Sequence, residues 1–231
     1  MSRTGVLVAA AVLAASVAQA AGGWHTLSGR VDGARGRSWQ WGFDVRVDPD
    51  AVRLRVRMHP VAAAGLTRAE LERALARWKP SIEAAWSGRW AVLADDGRTL
   101  PIALELDFGG QDPLHEVLVI RGRAGVDKVH WRLGDDPRVL AHEVGHMLGL
   151  YDEYPAGAVA PGGPRSDPAS IMGQGGGQGQ VRARHFARVL AWFQEHTGQA
   201  AGLVPLDGAF GGATADAAAF HEYPGRERGE P

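Results

Sequence analysis

The chain contains no cysteine in its 231 residues. Disulfides are therefore excluded, and so are thiolate metal ligands and a cysteine nucleophile. A zinc site in this chain must be built from histidines and carboxylates. Net charge is scarce as well: 25 Lys+Arg stand against 26 Asp+Glu, leaving −1. That balance favours neither nucleic acid nor an anionic membrane as partner. Beyond residue 20 there is no apolar run long enough to span a bilayer. What remains is ordinary for a globular protein. Hydrophobic residues are 45% and charged residues 22%, and the length suffices for one domain with a real core.

Residues 1–20 read as a secretory signal peptide. Arg3 supplies a short positive start, Gly5 to Ala15 an apolar run, and Ala18-Gln19-Ala20 a small-x-small cleavage site. The run is short for a membrane anchor, which needs about 20 residues. The mature chain is expected to begin near Ala21 and to be secreted or periplasmic. Without disulfides, its stability must come from the core and from any bound metal.

Residues 21–40 are Gly-rich and polar at their start and read as an irregular segment. Two alternating runs follow, Trp41 to Val47 and Val52 to Met58, separated by Asp48-Pro49-Asp50-Ala51. Period-two alternation around an Asp/Pro turn predicts a β-hairpin. Arg53, Arg55 and Arg57 share one face of it, read as a solvated strand face. Thr67-Arg68-Ala69-Glu70 is a capping box. Leu71, Leu75, Trp78, Ile82 and Trp86 then recur at helical spacing. They predict a helix from about Arg68 to Trp86, with a possible bend at Pro80. Trp90–Leu93, Ile102–Phe108, Val117–Ile120 and Lys128–Leu133 read as strands. Val181–Thr197 reads as a final amphipathic helix ending at Gly198. Gln174 to Gln180 is a flexible glycine run, and residues 199–231 read as a flexible tail.

The chemistry is concentrated in His142-Glu143-Val144-Gly145-His146-Met147-Leu148-Gly149-Leu150-Tyr151-Asp152. Asp135-Asp136-Pro137 starts a helix well, with an Asp able to cap and Pro137 at its first position. On that helix His142 and His146, four residues apart, lie on one face and can share one metal ion. Glu143 sits near enough to handle the proton of a metal-bound water. Gly149 can take a left-handed conformation and stop the helix. The turn can bring Asp152 back toward the two imidazoles. Three protein ligands are what a catalytic zinc requires. Glu153, next to Asp152, remains an alternative third ligand. His185 favours a packing or hydrogen-bonding role. His59, His115, His130, His196 and His221 stand at no ligand spacing.

The pattern H-E-x-x-H-x-x-G-x-x-D resembles that of metzincin metallopeptidases, in the snapalysin-like variant with Asp in the third place. Ser170-Ile171-Met172 resembles the Met-turn of that family. The resemblance covers roughly Val52 to Thr197 and is specific only at residues 142–152 and 170–172. It implies a compact metzincin-like α+β fold: a twisted, mostly parallel sheet, an active-site helix, a Met-turn and a C-terminal helix. It implies that His142, His146 and Asp152 ligate Zn2+, that Glu143 is the general base, and that Met172 is an apolar floor. The implied activity is that of a secreted zinc-dependent endopeptidase acting on a peptide or protein substrate, as a monomer. Val117–Ile120 or Lys128–Leu133 would offer an edge strand to an extended peptide. Some metzincins place a Tyr after the Met-turn methionine. Here Gly173-Gln174-Gly175 follows, and Tyr151 or Tyr154 would have to stand in. Two other functions fit the motif: a catalytically silent zinc protein that binds peptide or glycan, and a zinc hydrolase or toxin acting on a non-peptide bond. The resulting map is a signal peptide at 1–20, an irregular segment at 21–40, a metallopeptidase domain at 41–198 and a tail at 199–231.

Overall fold

The two alternating runs around Asp48-Pro49 form the expected hairpin. Strands β2 (Ser38–Val47) and β3 (Val52–Ala62) pair antiparallel, with Val47 opposite Val52. The structure is a computed structural model that describes residues 23–122, 127–161, 166–174 and 179–206. The signal-peptide reading of 1–20, His221 and the tail beyond 206 lie outside the described residues, as does most of the glycine run. Among the described residues, no helix is long and apolar enough to cross a membrane.

Ahead of the hairpin, β1 (His25–Asp32) pairs antiparallel with β2 along its whole length. Within the segment expected to be irregular, 25–32 and 38–40 are thus strand. Of β1 only Val31 is buried. The strand is held mainly by backbone pairing, so its side chains carry little strand signal.

After β3 comes helix α1 (Arg68–Trp86), with the Thr67/Glu70 capping box formed in both directions. It runs unbroken past Pro80. Its buried stripe is Ala74, Trp78, Ile82 and Trp86. Leu71 and Leu75 lie at the margin of that stripe, only partly buried. β4 (Trp90–Ala94), β5 (Thr99–Asp107), β6 (His115–Ile120) and β7 (His130–Arg132) follow. Helix α2 (Pro137–Met147) packs against α1. A 3-10 turn (Ala183–Phe186) leads into helix α3 (Ala187–Thr197), so the last helical segment starts as 3-10 rather than α.

The strands of the described residues make one curled sheet of eight, in the order β1-β2-β3-β5-β4-β8, with β6 paired to β3 and β7. β8 (Ala201–Pro205) pairs antiparallel with β4. Residues 201–205, expected to belong to a flexible tail, are thus a paired strand. β8 fully buries no side chain, although Leu203 packs on the core, and it gains its place largely through backbone pairing. The sheet is mixed, not mostly parallel: β1–β2, β2–β3, β4–β5 and β4–β8 are antiparallel, and β3–β5, β3–β6 and β6–β7 parallel. Short turns after β2 and β4 force antiparallel partners, while helix α1 provides the crossover that parallel pairing needs. Among the described residues the fold is thus mixed α/β, a curled sheet with three α-helices.

Of the two strands expected to offer an edge, β6 lies between β3 and β7. Among the described residues β7 pairs only with β6, and the outward backbone groups of His130 and Arg132 are taken by Asp127 and Asp135, so neither expected strand offers a free edge. The arginine face of β3 also differs from expectation. Arg55 and Arg57 converge on Asp44, which is buried, with Nε–Oδ2 distances of 3.0 and 2.9 Å. Thr26 Oγ1 donates to the same carboxylate at 2.8 Å. Burial pushes the Asp44 carboxyl up. The hydrogen bonds from Thr26, Arg57 and Arg55 outweigh it and hold the pKa below 3.8.

Candidate metal centre

Helix α2 begins as its sequence demands. Asp136 caps it by accepting from the Arg138 N–H at 2.9 Å, and Pro137 takes the first helical position. From Leu140 to Met147 every residue is buried. Gly149, at φ 84°, ends the helix in the left-handed region. The Gly149 N–H donates to His146 O at 3.1 Å and the Leu150 N–H to Gly145 O at 3.0 Å. This pair of bonds is a Schellman motif.

The same turn sets the second histidine. His146 Nδ1 lies 2.9 Å from Leu150 O, the first carbonyl after the glycine. His142 Nδ1 lies 2.9 Å from Ile171 O, in the turn that ends at Met172. With a proton on each Nδ1 donated to a carbonyl, each Nε2 is left as a free lone pair. Both Nε2 atoms face Asp152 Oδ1, at 3.0 Å from His142 and 3.5 Å from His146.

Asp152 is fixed by a tight loop. Its N–H donates to Ala158 O at 3.0 Å, and its Oδ2 accepts from the Ala158 N–H at 2.5 Å. Gly157 closes that loop where no side chain fits: a Cβ there would lie 2.3 Å from Asp152 Cβ. Oδ1, by contrast, is buried without a hydrogen-bond donor. The 3.0 Å approach of His142 Nε2 becomes a hydrogen bond only if that imidazole is doubly protonated. Either the imidazoles are charged or a cation sits among the three atoms; in both cases positive charge belongs there. Donor atoms about 2.0–2.2 Å from a tetrahedral ion stand roughly 3.3 Å from one another. The distances of 3.0 and 3.5 Å match that spacing. His142, His146 and Asp152, all buried, can hold a metal ion.

Electrostatics agree. Burial pushes the Asp152 carboxyl up, but the two histidines and the Ala158 N–H hold it well below the usual carboxylate range. For His142 burial favours the neutral ring. Asp152 and Glu143 outweigh that and raise its pKa.

Glu143 is also buried, and it lines the cleft that opens over these ligands. Burial raises its pKa, and the charges of the two imidazoles only partly offset the rise. The cleft encloses ≈ 480 Å³. Its other walls include Trp39, Lys128 and Tyr154. The Tyr154 hydroxyl is pushed up to about 12, first by burial and then by the charges of Asp152 and Glu143. It therefore stays protonated and able to donate. Tyr151 instead packs on Trp39, with its hydroxyl 3.3 Å from Asp32 O.

Glu153 points elsewhere. Its carboxylate takes a two-pronged ion pair from Arg184, at 2.7 and 2.6 Å. Its backbone N–H donates to Met172 O at 2.8 Å. Those bonds tie the Asp152 loop to the Met172 turn. His185 is buried in a hydrogen-bonded role, as expected. Its Nδ1 accepts from the Arg182 N–H at 3.1 Å, and its Nε2 lies 3.3 Å from Ser170 Oγ. His115 Nε2 meets Gly42 O at 2.8 Å, away from the site.

Met172 is fully buried beneath the helix. A Cβ on Gly145 would lie 2.3 Å from its Sδ and 3.2 Å from Trp86 Cζ2. Gly145 is thus needed for space rather than for backbone freedom. Trp39 was not anticipated as part of the site. Its indole N–H donates to His146 O at 2.9 Å, and its ring meets the His146 ring edge-on at 5.3 Å. Trp86 clamps the same helix through Ala141 O at 2.9 Å. An indole that far away in sequence leaves no local signal of such a role.

No known protein family matches this chain, and no curated protein or solved structure does either.

Proposed function

We propose that this protein is an exported zinc endopeptidase of metzincin type. The observation that carries the proposal is the buried, donorless Asp152 Oδ1 facing two imidazole lone pairs, with Glu143 beside them on an open cleft. His142, His146 and Asp152 would be the zinc ligands. Zinc is favoured because two imidazoles and one carboxylate are a known donor set for it. The ion would lower the pKa of a bound water toward about 7 and polarise the scissile carbonyl. Glu143 would take the proton of the attacking water and hand it to the leaving amine. The Tyr154 hydroxyl, protonated at neutral pH, would donate to the developing oxyanion.

The order of elements supports the metzincin comparison: sheet and α1, then α2, then the Met172 turn, then α3. The signal-like residues 1–20 support export. The test is Glu143→Ala. This variant is expected to bind one zinc as wild type does and to lose at least about 100-fold in cleavage of a generic protein substrate. Zinc-loaded wild type that cleaves nothing across a broad peptide library would sink the peptidase assignment in favour of a silent binding protein.

A further inference from the structure

Among the described residues, two basic side chains on the cleft have no carboxylate partner, unlike several of the arginines elsewhere. Arg55 and Arg57 have Asp44, Arg184 has Glu153 and Asp167, and Arg182 has Asp167. Arg37 and Lys128 both line the cleft over the metal ligands. Among the described residues, neither forms an ion pair with a carboxylate. Arg37 is exposed just ahead of β2, and Lys128 is half-buried just ahead of β7. Lys128 Nζ stands 5.1 Å from the centre of the Trp39 ring, whose edge meets the ligand His146. One indole thus separates this ammonium from the metal site.

The acidic groups nearby are already committed. Asp127, next to Lys128, accepts from the Val129 and His130 N–H groups at 2.8 Å each and pairs with His130 Nδ1 at 3.0 Å. Asp152 belongs to the ligand set. Glu143 lies close enough for its charge to act on Lys128 without an ion pair forming. Burial weakens the Lys128 ammonium, and the carboxylates of Asp127 and Glu143 work against that loss. A divalent ion held by the three ligands would balance Asp152 and Glu143. Among the described residues lining the cleft, Arg37 and Lys128 would then outnumber Asp127 and leave its mouth net positive.

We propose that Lys128 and Arg37 select peptides carrying an acidic side chain beside the bond to be cut. The proposal deepens, and rests on, the peptidase assignment above. A carboxylate entering the cleft gains two charge-assisted partners there. A lysine at the same place meets like charge. The effect acts at short range within a partly desolvated cleft, and it weakens as salt screens the exposed Arg37.

The test uses the full chain loaded with zinc. A cleaved peptide, capped at both ends, is remade with Glu, Gln or Lys at each of the three residues either side of the cut. At one position or more, kcat/KM is expected to fall about tenfold from Glu to Gln and again from Gln to Lys at low salt, roughly 1.4 kcal/mol per step. Lys128→Gln should bring the Glu-to-Gln ratio toward one. Lys128→Glu combined with Arg37→Glu should invert the order. Equal rates for Glu and Gln peptides at every position would overturn the proposal while leaving the peptidase assignment standing. So would a Lys128→Gln variant that slows both peptides equally, since Lys128 would then act through Glu143. If no peptide is cleaved, binding decides. Capped Ala-rich hexapeptides with one Glu or one Gln are titrated against zinc-loaded Glu143→Ala protein. Tighter binding of the Glu peptide supports charge selection even where the peptidase assignment fails; equal binding ends both.

Discussion

Gly157→Ala should damage the metal site without touching a ligand. The new methyl would sit 2.3 Å from Asp152 Cβ and 2.5 Å from both its Cγ and its Oδ2. Ordinary contact begins at 3.4 Å, so the two must separate by about 1.1 Å. Asp152 has little room to yield. Its Cβ is bonded to the backbone, and its N–H and Oδ2 are both tied to Ala158. Metal sites tolerate displacements of only about 0.2 Å in ligand distance. The loop therefore opens and carries Oδ1 off the site. A perturbed ligand support costs about 10–100-fold in affinity, or ~1.4–2.7 kcal/mol. Competition with a chromophoric zinc chelator at pH 7 reads the affinity directly. Thermal unfolding with and without chelator should show the metal-linked stabilisation reduced by a similar amount at fixed free zinc. Gly109→Ala, whose Cβ would meet nothing within 4 Å, is the control. A Gly157→Ala protein that binds one zinc within twofold of wild-type affinity would refute the reasoning. The Asp152 loop would then be compliant rather than rigid.

Two further predictions concern the buried charges. Glu153→Gln breaks the pair with Arg184, whose partners are Glu153 and Asp167. Unfolding in urea should show a loss of about 3 kcal/mol, the low end for a broken buried pair, with zinc affinity held within threefold. A large loss of zinc with unchanged stability would instead make Glu153 the third ligand. Asp44→Asn should cost about 2 kcal/mol at pH 7, discounted because Arg55 and Arg57 are partly exposed. The folded-state pKa of Asp44 lies below its unfolded value of 3.8. Its contribution is thus fully present above that value and is lost as pH falls through the folded one. Denaturant midpoints measured at pH 7, 4 and 3 should show wild type and variant converging as pH falls. A gap of constant size would show that Asp44 does not act through its charge.

What could be read from the sequence was local. The capping box at Thr67, the Asp136-Pro137 start and the Gly149 stop are set by neighbours within a turn of helix, and all three appear as expected. The spacing of His142 and His146 likewise needs only helical geometry. What could not be read depends on partners distant in sequence. Asp152 and Glu153 are indistinguishable until Arg184, more than thirty positions on, claims one of them. The β3 arginines look solvated until Asp44 arrives on the neighbouring strand. β1 alternates half-buried with exposed residues but fully buries only Val31, and β8 fully buries none, so pairing with β2 and β4 left little apolar signal to detect. Nothing adjacent in sequence marks the glycines at 145 and 157 as constrained. In the structure they are exclusions of volume, one made by Met172 and the other by Asp152.

The two histidines differ in what holds them, and that difference explains why the stretch must end as it does. His142 leans on Ile171 O, in a turn reached only after the chain has left the helix and returned. His146 leans on Leu150 O, which Gly149 puts in place. The same glycine aims the chain toward Asp152. One left-handed residue therefore sets both the orientation of the second imidazole and the position of the carboxylate. A residue with a side chain would be strained there at φ 84°, and its Cβ would also press to 3.0 Å on Trp41. Two of the three ligands thus move together, and the third answers to the Met172 turn. The bond from the Glu153 N–H to Met172 O joins those two supports. Assembly of the site accordingly requires both turns in register, which the spacing of the two histidines alone does not provide.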